Sequence, residues 1–404
     1  MMISRAAVLG VPFCIGWCVA ALAALQTGAW GELDPAGLQL VVVPERTYVE
    51  PWPEQIGLND RVSLHFVVLN DTSEEVVLEG VRISFEGAEG CAYEMALSRD
   101  ALAQRLRECA SAVFVDPGVR EHRTLATEPN LPPGAVAALI GTQFDIPAAI
   151  RANEATIEVR ARGEQGRDRS LRATVKLWRY EPTTRFQFPF EGVWQVVNGH
   201  GPGPGHPVDS FAYDLMEVRG LSHYEGDGAR HEQWWGYATP IVAAADGVVV
   251  EANQAAGIPE RLPFSPYASA EELGLKGHVI TNTLVTIDRD GVHYRPGSLQ
   301  WEALTAEEKA RINGAHVTIR HSEEEYSYYV HLQPGSLTVE PGDHVKAGEQ
   351  IGKCGCSGNA NAPGLHFQVL YRPDMHAGLP VAFTPAEAPD MAPLRLQVFG
   401  TYEN

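Results

Sequence analysis

The feature that most limits what this chain can fold into is the recurrence of short apolar runs, each cut off from the next by Pro, Gly, Asn or Asp. Leu38–Val43, Ser63–Asn70, Val76–Phe85, Ala155–Arg162 and Arg172–Tyr180 are of this kind. Several alternate in polarity, as in Thr156-Ile157-Glu158-Val159-Arg160, so one face of each would be buried and the other wet. The reading is a mainly β chain in which residues 33–180 form an immunoglobulin-like β-sandwich. One helix interrupts it, from about Ser98 to Ala112, where Leu102, Leu106 and Cys109 recur at helical spacing.

Glu181-Pro182-Thr183-Thr184 marks a boundary, after which the composition turns glycine-rich and histidines concentrate. From 185 to 400 the pattern is again strand and tight turn, as in Pro240–Val250 and Pro341–Gly348, and an antiparallel β-core is expected. That pattern lapses between about 252 and 313 in a Pro- and Gly-containing insertion. The insertion closes on a helix that Thr305 and Glu308 begin as a capping box and Gly314 can end. A stretch this long inside a compact unit suits a lid or a substrate wall.

Residues 1–29 hold one basic residue, Arg5, and then a nearly unbroken apolar run from Ala6 to Leu25. This is the pattern of a signal peptide, and the run is also long enough to stay as a membrane anchor. The chain is therefore read as exported, periplasmic or extracellular. Export places Cys91, Cys109, Cys354 and Cys356 in an oxidising compartment, with Cys91–Cys109 the first pairing to expect and Cys354/Cys356 either free thiols or a strained bridge. The 31 basic and 51 acidic side chains give a formal charge of -20, which argues against a nucleic-acid partner.

Four segments carry candidate chemistry. His366 sits in the apolar run Leu365-His366-Phe367-Gln368-Val369, and His331 in Tyr329-Val330-His331-Leu332, with Tyr329 expected on its face. Asp214, in Phe211-Ala212-Tyr213-Asp214-Leu215, is expected to face inward, where a carboxylate asks for a cation. His206 precedes it in a Gly/Pro-rich loop, where His200 and Asp209 compete as ligands. Two histidines and a carboxylate are enough to hold a tetrahedral zinc with one open position.

Together with the Pro341–Gly358 hairpin and turn, these segments resemble the lysostaphin-type zinc metalloendopeptidases, which cut peptide cross-links in peptidoglycan. The resemblance runs over roughly residues 190 to 385. It implies that His206, Asp214 and His366 bind Zn²⁺, with Asp214 preferred to Asp209, and that His331 is catalytic. It also places Gly364 where the family has a second catalytic histidine, with Tyr329, His321 and His376 as candidates to fill the gap. The implied activity is zinc-dependent hydrolysis of a peptide bond in peptidoglycan. The rival is a degenerate module that binds cell wall or regulates another hydrolase.

Overall fold

The structure is a computed structural model and describes residues 30–35, 37–43, 46–51, 58–87, 90, 92–110, 124–139, 143–199, 211–265, 285–288, 291–294, 305–373, 378–381, 383 and 398–400. Among them the chain is mainly β, as its alternating pattern requires. The first half runs β1 (Trp30–Leu33), β2 (Leu38–Val43), β3 (Thr47–Pro51), β4 (Asn59–Ser63), β5 (His65–Asn70), β6 (Val76–Gly87), β7 (Ala92–Ser98), α1 (Arg99–Ala110), β8 (Thr124–Leu125), β9 (Asn130–Leu131), β10 (Ala135–Leu139), β11 (Gln143–Pro147), β12 (Ala152–Gly163) and β13 (Asp168–Trp178).

These strands form one sheet in the order β1-β2-β5-β10-β8 and a second in the order β11-β4-β3-β13-β12-β6-β7, with β9 paired to β6. Along β13, Leu171, Ala173, Val175 and Leu177 are buried while the residues between them are exposed, the period of two that the sequence displays. Leu40, Phe66 and Ala137 from the first sheet meet Ile83, Ile157 and Val159 from the second in one core, to which α1 adds Leu102 and Leu106. These strand orders do not confirm the immunoglobulin-like detail.

The second half runs β14 (Val193–Asn198), β15 (Tyr213–Glu217), β16 (Pro240–Val242), β17 (Gly247–Asn253), β18 (Val285–Asp288), β19 (Gly291–Tyr294), α2 (Ala306–Asn313), β20 (Ala315–Ser322), β21 (Glu325–Leu332), β22 (His344–Val345), β23 (Gln350–Lys353), β24 (Leu365–Leu370) and β25 (Val398–Gly400). Eight of these make one sheet in the order β22-β17-β20-β21-β24-β15-β14-β25. Tyr213, Leu215, Tyr329, Leu365, Phe367 and Val369 enter its core. At α2 the capping box forms as expected: Thr305 N–H donates to Glu308 Oε2 (2.8 Å), and Glu308 N–H donates to Thr305 Oγ1 (3.2 Å).

The two halves are fastened at the β20–β21 hairpin. Arg46 pairs with Glu324 at 2.7 Å and lies over the Tyr371 ring, while Tyr48 meets Phe211 edge-on. The buried Glu325 carboxylate accepts from Tyr180 OH (2.7 Å), Thr183 N–H (2.7 Å), Thr183 Oγ1 (2.5 Å) and Thr184 Oγ1 (2.6 Å). A segment that reads as a simple linker is thus tied to β21.

The expected leader at 1–29 lies outside the described residues, and so does Cys91. Cys109 is buried on α1, and Cys354 and Cys356 are buried, unbridged thiols. Among the described residues no helix is long and apolar enough to cross a membrane.

Candidate functional site

Three adjacent strands in the middle of the second sheet, β21, β24 and β15, build the candidate site. Asp214 and His366 are register partners across β15 and β24. Tyr213 and Leu215 point to the core, so Asp214 points to the opposite, open face, where its side chain is 38% exposed. This corrects the inward-facing carboxylate expected from the pattern. There His366 Nδ1 lies 2.8 Å from Asp214 Oδ1.

His331 does not follow its strand. Regular alternation would send Tyr329 and His331 to the same side, yet Tyr329 and Leu332 both pack in the core. The ladder explains the difference. Ala315 pairs with Leu332 and Val317 with Tyr329, so Val330 and His331 together oppose His316 alone. This is a β-bulge, the device that re-aims a side chain out of strand register. Within it His331 holds a φ of 66°, a left-handed conformation that costs a non-glycine residue about 1–3 kcal/mol. Its ring then stands edge-on to His366, with centroids 6.1 Å apart.

The His331 ring is fixed as well as re-aimed. Nδ1 donates to the Ser357 carbonyl at 2.9 Å. Burial pushes the imidazole down to about 4, the neighbouring His366 adding to that shift while Asp214 and the backbone of Ser357 and Asn313 oppose it. His331 is therefore neutral at pH 7.

The space at Gly364, where the resemblance expects a second histidine, is tight. A Cβ there would meet Leu215 O at 3.0 Å and Met216 Cγ at 3.4 Å, although the backbone is not in the left-handed region. Two of the side chains expected to fill it are placed elsewhere. Tyr329 is fully buried and its OH accepts from Ala244 N–H and Ser327 Oγ. His321 is held by Asp246 O (2.8 Å) and Ser327 Oγ (2.7 Å). The third, His376, lies outside the described residues, as do His206, His200 and Asp209.

Among the described residues no group of three or more His, Cys, Asp or Glu side chains could hold a metal ion. Asp214 and His366 still fit such an ion in kind, since a carboxylate oxygen and an imidazole nitrogen facing one another are donors that zinc accepts. A third donor would have to come from beyond them.

The first part of the insertion forms a wall along the turn that holds His331. Arg261 N–H donates to Cys356 O (3.0 Å), Cys356 N–H donates to Glu260 Oε1 (2.7 Å), and Phe264 N–H donates to Asn361 O (2.7 Å). Tyr237 OH donates to Glu260 Oε2 (2.6 Å) and accepts from Gln333 Nε2 (3.1 Å). Sequence reasoning did not single out Glu260 or Tyr237, and it reached Ser357 only within the Gly-x-Ser-Gly turn, Gly355-Cys356-Ser357-Gly358, that the family resemblance includes.

On the open face of this sheet an Asp–His pair thus stands beside a re-aimed histidine. Residues 302–378, a stretch that takes in α2 to β24, match the family model of Peptidase family M23. The chain is 27% identical over 170 residues to the glycyl-glycine endopeptidase ALE-1 of Staphylococcus capitis, covering 42% of this chain and 27% of that protein. It is also 40% identical over 60 residues to the peptidoglycan DD-endopeptidase ShyC of Vibrio cholerae, covering 15% of this chain and 13% of that protein. Each match thus spans well under a third of the relative's length. Among solved structures, the catalytic domain of lysostaphin from Staphylococcus simulans is similar at 16% identity, with a TM-score of 0.23, over 47% of this chain and 87% of that one.

Proposed function

We propose that this chain is an exported, zinc-dependent metalloendopeptidase that hydrolyses peptide bonds in peptidoglycan cross-links. The reading takes 1–29 as a signal peptide or membrane anchor, 33–180 as a sandwich that positions the enzyme, and 185–400 as the peptidase unit. His206, Asp214 and His366 would hold the metal. When bound, zinc supplies a Lewis acid for the scissile carbonyl and lowers the pKa of a water toward about 7.

The observation that carries the reading is the His331 bulge. A histidine held in a costly backbone conformation, locked by a carbonyl and turned toward an Asp–His pair, is an expensive arrangement for a purely structural strand. Neutral His331, its proton on Nδ1, keeps a lone pair on Nε2 with which to orient water or take its proton. The wall formed by Tyr237, Glu260 and Phe264 would flank the peptide.

Gly364 favours a second reading, a peptidase-like module that grips cell wall or regulates another hydrolase. One comparison separates the two: bound zinc, and cleavage of muropeptides or oligoglycine, for the native chain, His331→Ala and Gly364→His. Zinc with turnover that His331→Ala lowers by about 10²- to 10³-fold supports the enzyme. Zinc without turnover, rescued by Gly364→His, supports the module. A chain that takes up no zinc defeats both.

A further inference from the structure

We propose that Ser357 is the positioning residue of His331, acting through both its hydroxyl and its carbonyl. Ala315 and Leu332 are the register partners that close the bulge. The Ser357 hydroxyl is inserted between them: Ala315 N–H donates to Oγ at 2.9 Å, and Oγ–H donates to Leu332 O at 2.5 Å. One side chain from a distant turn thereby bridges β20 and β21 at the place where the ladder is irregular. The carbonyl of the same residue accepts a hydrogen bond from His331 Nδ1–H. A carbonyl oxygen can only accept, so Nδ1 must be the protonated nitrogen and Nε2 the one with a free lone pair.

The surroundings are shaped for this contact. A Cβ on Gly314 would stand 1.9 Å from Ser357 Oγ, and one on Gly358 would stand 2.2 Å from Gly314 N. Both glycines have a left-handed φ, 68° and 67°. Asn359 N–H donates to Ile312 O at 2.7 Å, pinning the turn to the end of α2. Ser357 is fully buried, so neither water nor substrate can supply these bonds in its place. Removing the hydroxyl leaves Ala315 N–H and Leu332 O without their shared partner and frees the carbonyl that holds the ring.

The kinetic consequence rests on the peptidase reading, whereas the ring state does not, so the test reads both. In the native chain, ¹⁵N NMR of ring-labelled histidine, with the His331 signals assigned by their loss in His331→Ala, is expected to show the Nδ1–H form. An Nε2–H form overturns the proposal whether or not the chain is active. For turnover, Ser357→Ala is expected to lower kcat by about 10- to 100-fold, the usual effect of losing an orienting partner. KM and metal content should stay within about twofold. In a His331→Ala background the same change should cost less than about twofold, because a residue acting through His331 has nothing left to orient. Losses that multiply in the double variant mean a general structural role and overturn the proposal. If Ser357→Ala does not fold, the native ring state decides.

Discussion

Glu325 joins the two halves of the molecule, and its removal makes a quantitative prediction. Its carboxylate is buried on β21 and takes hydrogen bonds from Tyr180, Thr183 and Thr184. Burial alone would raise its pKa, but these bonds, Thr183 and Thr184 first and then Tyr180, outweigh it and bring it down to about 2 from 4.5. A shift of that size corresponds to roughly 3 kcal/mol, and discounting by about half for solvent screening at a linker leaves about 1–2 kcal/mol. Because the folded value lies below the unfolded one, this stabilisation is complete above pH 4.5 and fades as pH falls toward 2. Glu325→Gln keeps the shape and removes the charge. At pH 7 it should open the linker about 5- to 30-fold more often, read as faster trypsin cleavage after Arg179 or Arg185. Urea midpoints should show the two proteins converging as pH drops from 5 to 3. Equal linker protection at pH 7, or a gap between variants that does not narrow with acid, would refute the clamp.

Gly364→His should raise kcat by about 10²- to 10³-fold if the missing acid–base or oxyanion donor limits turnover. It should also cost about 1–3 kcal/mol in urea unfolding, because its Cβ crowds Leu215 O; an intact, metal-loaded variant with unchanged kcat would place the limit elsewhere. His65, buried in the first half, has its pKa pushed down to about 4 by burial, so up to about 3 kcal/mol of stability should be lost between pH 6.5 and 4. His65→Gln should flatten that acid slope, and an unchanged slope would mean that another group titrates there. Burial holds the Cys354 thiol well above its usual range and pushes Cys356 up to about 12, so neither should react with iodoacetamide at pH 8 until urea is added. Fast labelling of the folded chain would contradict their placement.

Much of the architecture was legible because it follows from periodicity and turn chemistry. The strands β6, β12 and β13 announce themselves by alternation, α2 by its capping box, and the site strands by histidines in apolar runs. The errors are equally instructive. Alternation put His331 beside Tyr329, and a one-residue bulge undid it, because nothing local in Tyr329-Val330-His331-Leu332 encodes the left-handed φ. The contacts that bridge the bulge and hold the ring come from Ser357, in a turn far along the chain. Glu325 was illegible for a similar reason: one glutamate among Glu323, Glu324 and Glu325 looks like solvated charge until the linker folds onto it. Tyr329 and His321 were reasonable substitutes for the missing histidine by sequence, and tertiary packing assigned both to other partners.

The pairing of Asp214 with His366 across β15 and β24 also makes the open face a parity check on the sheet. If either strand slipped by one residue, Tyr213 or Phe367 would take the place of a donor and the donor would be driven into the core. A slip of two would keep the faces but part the donor atoms by about 7 Å. Any ligand that needs both groups at once therefore proof-reads the central strand alignment as it binds.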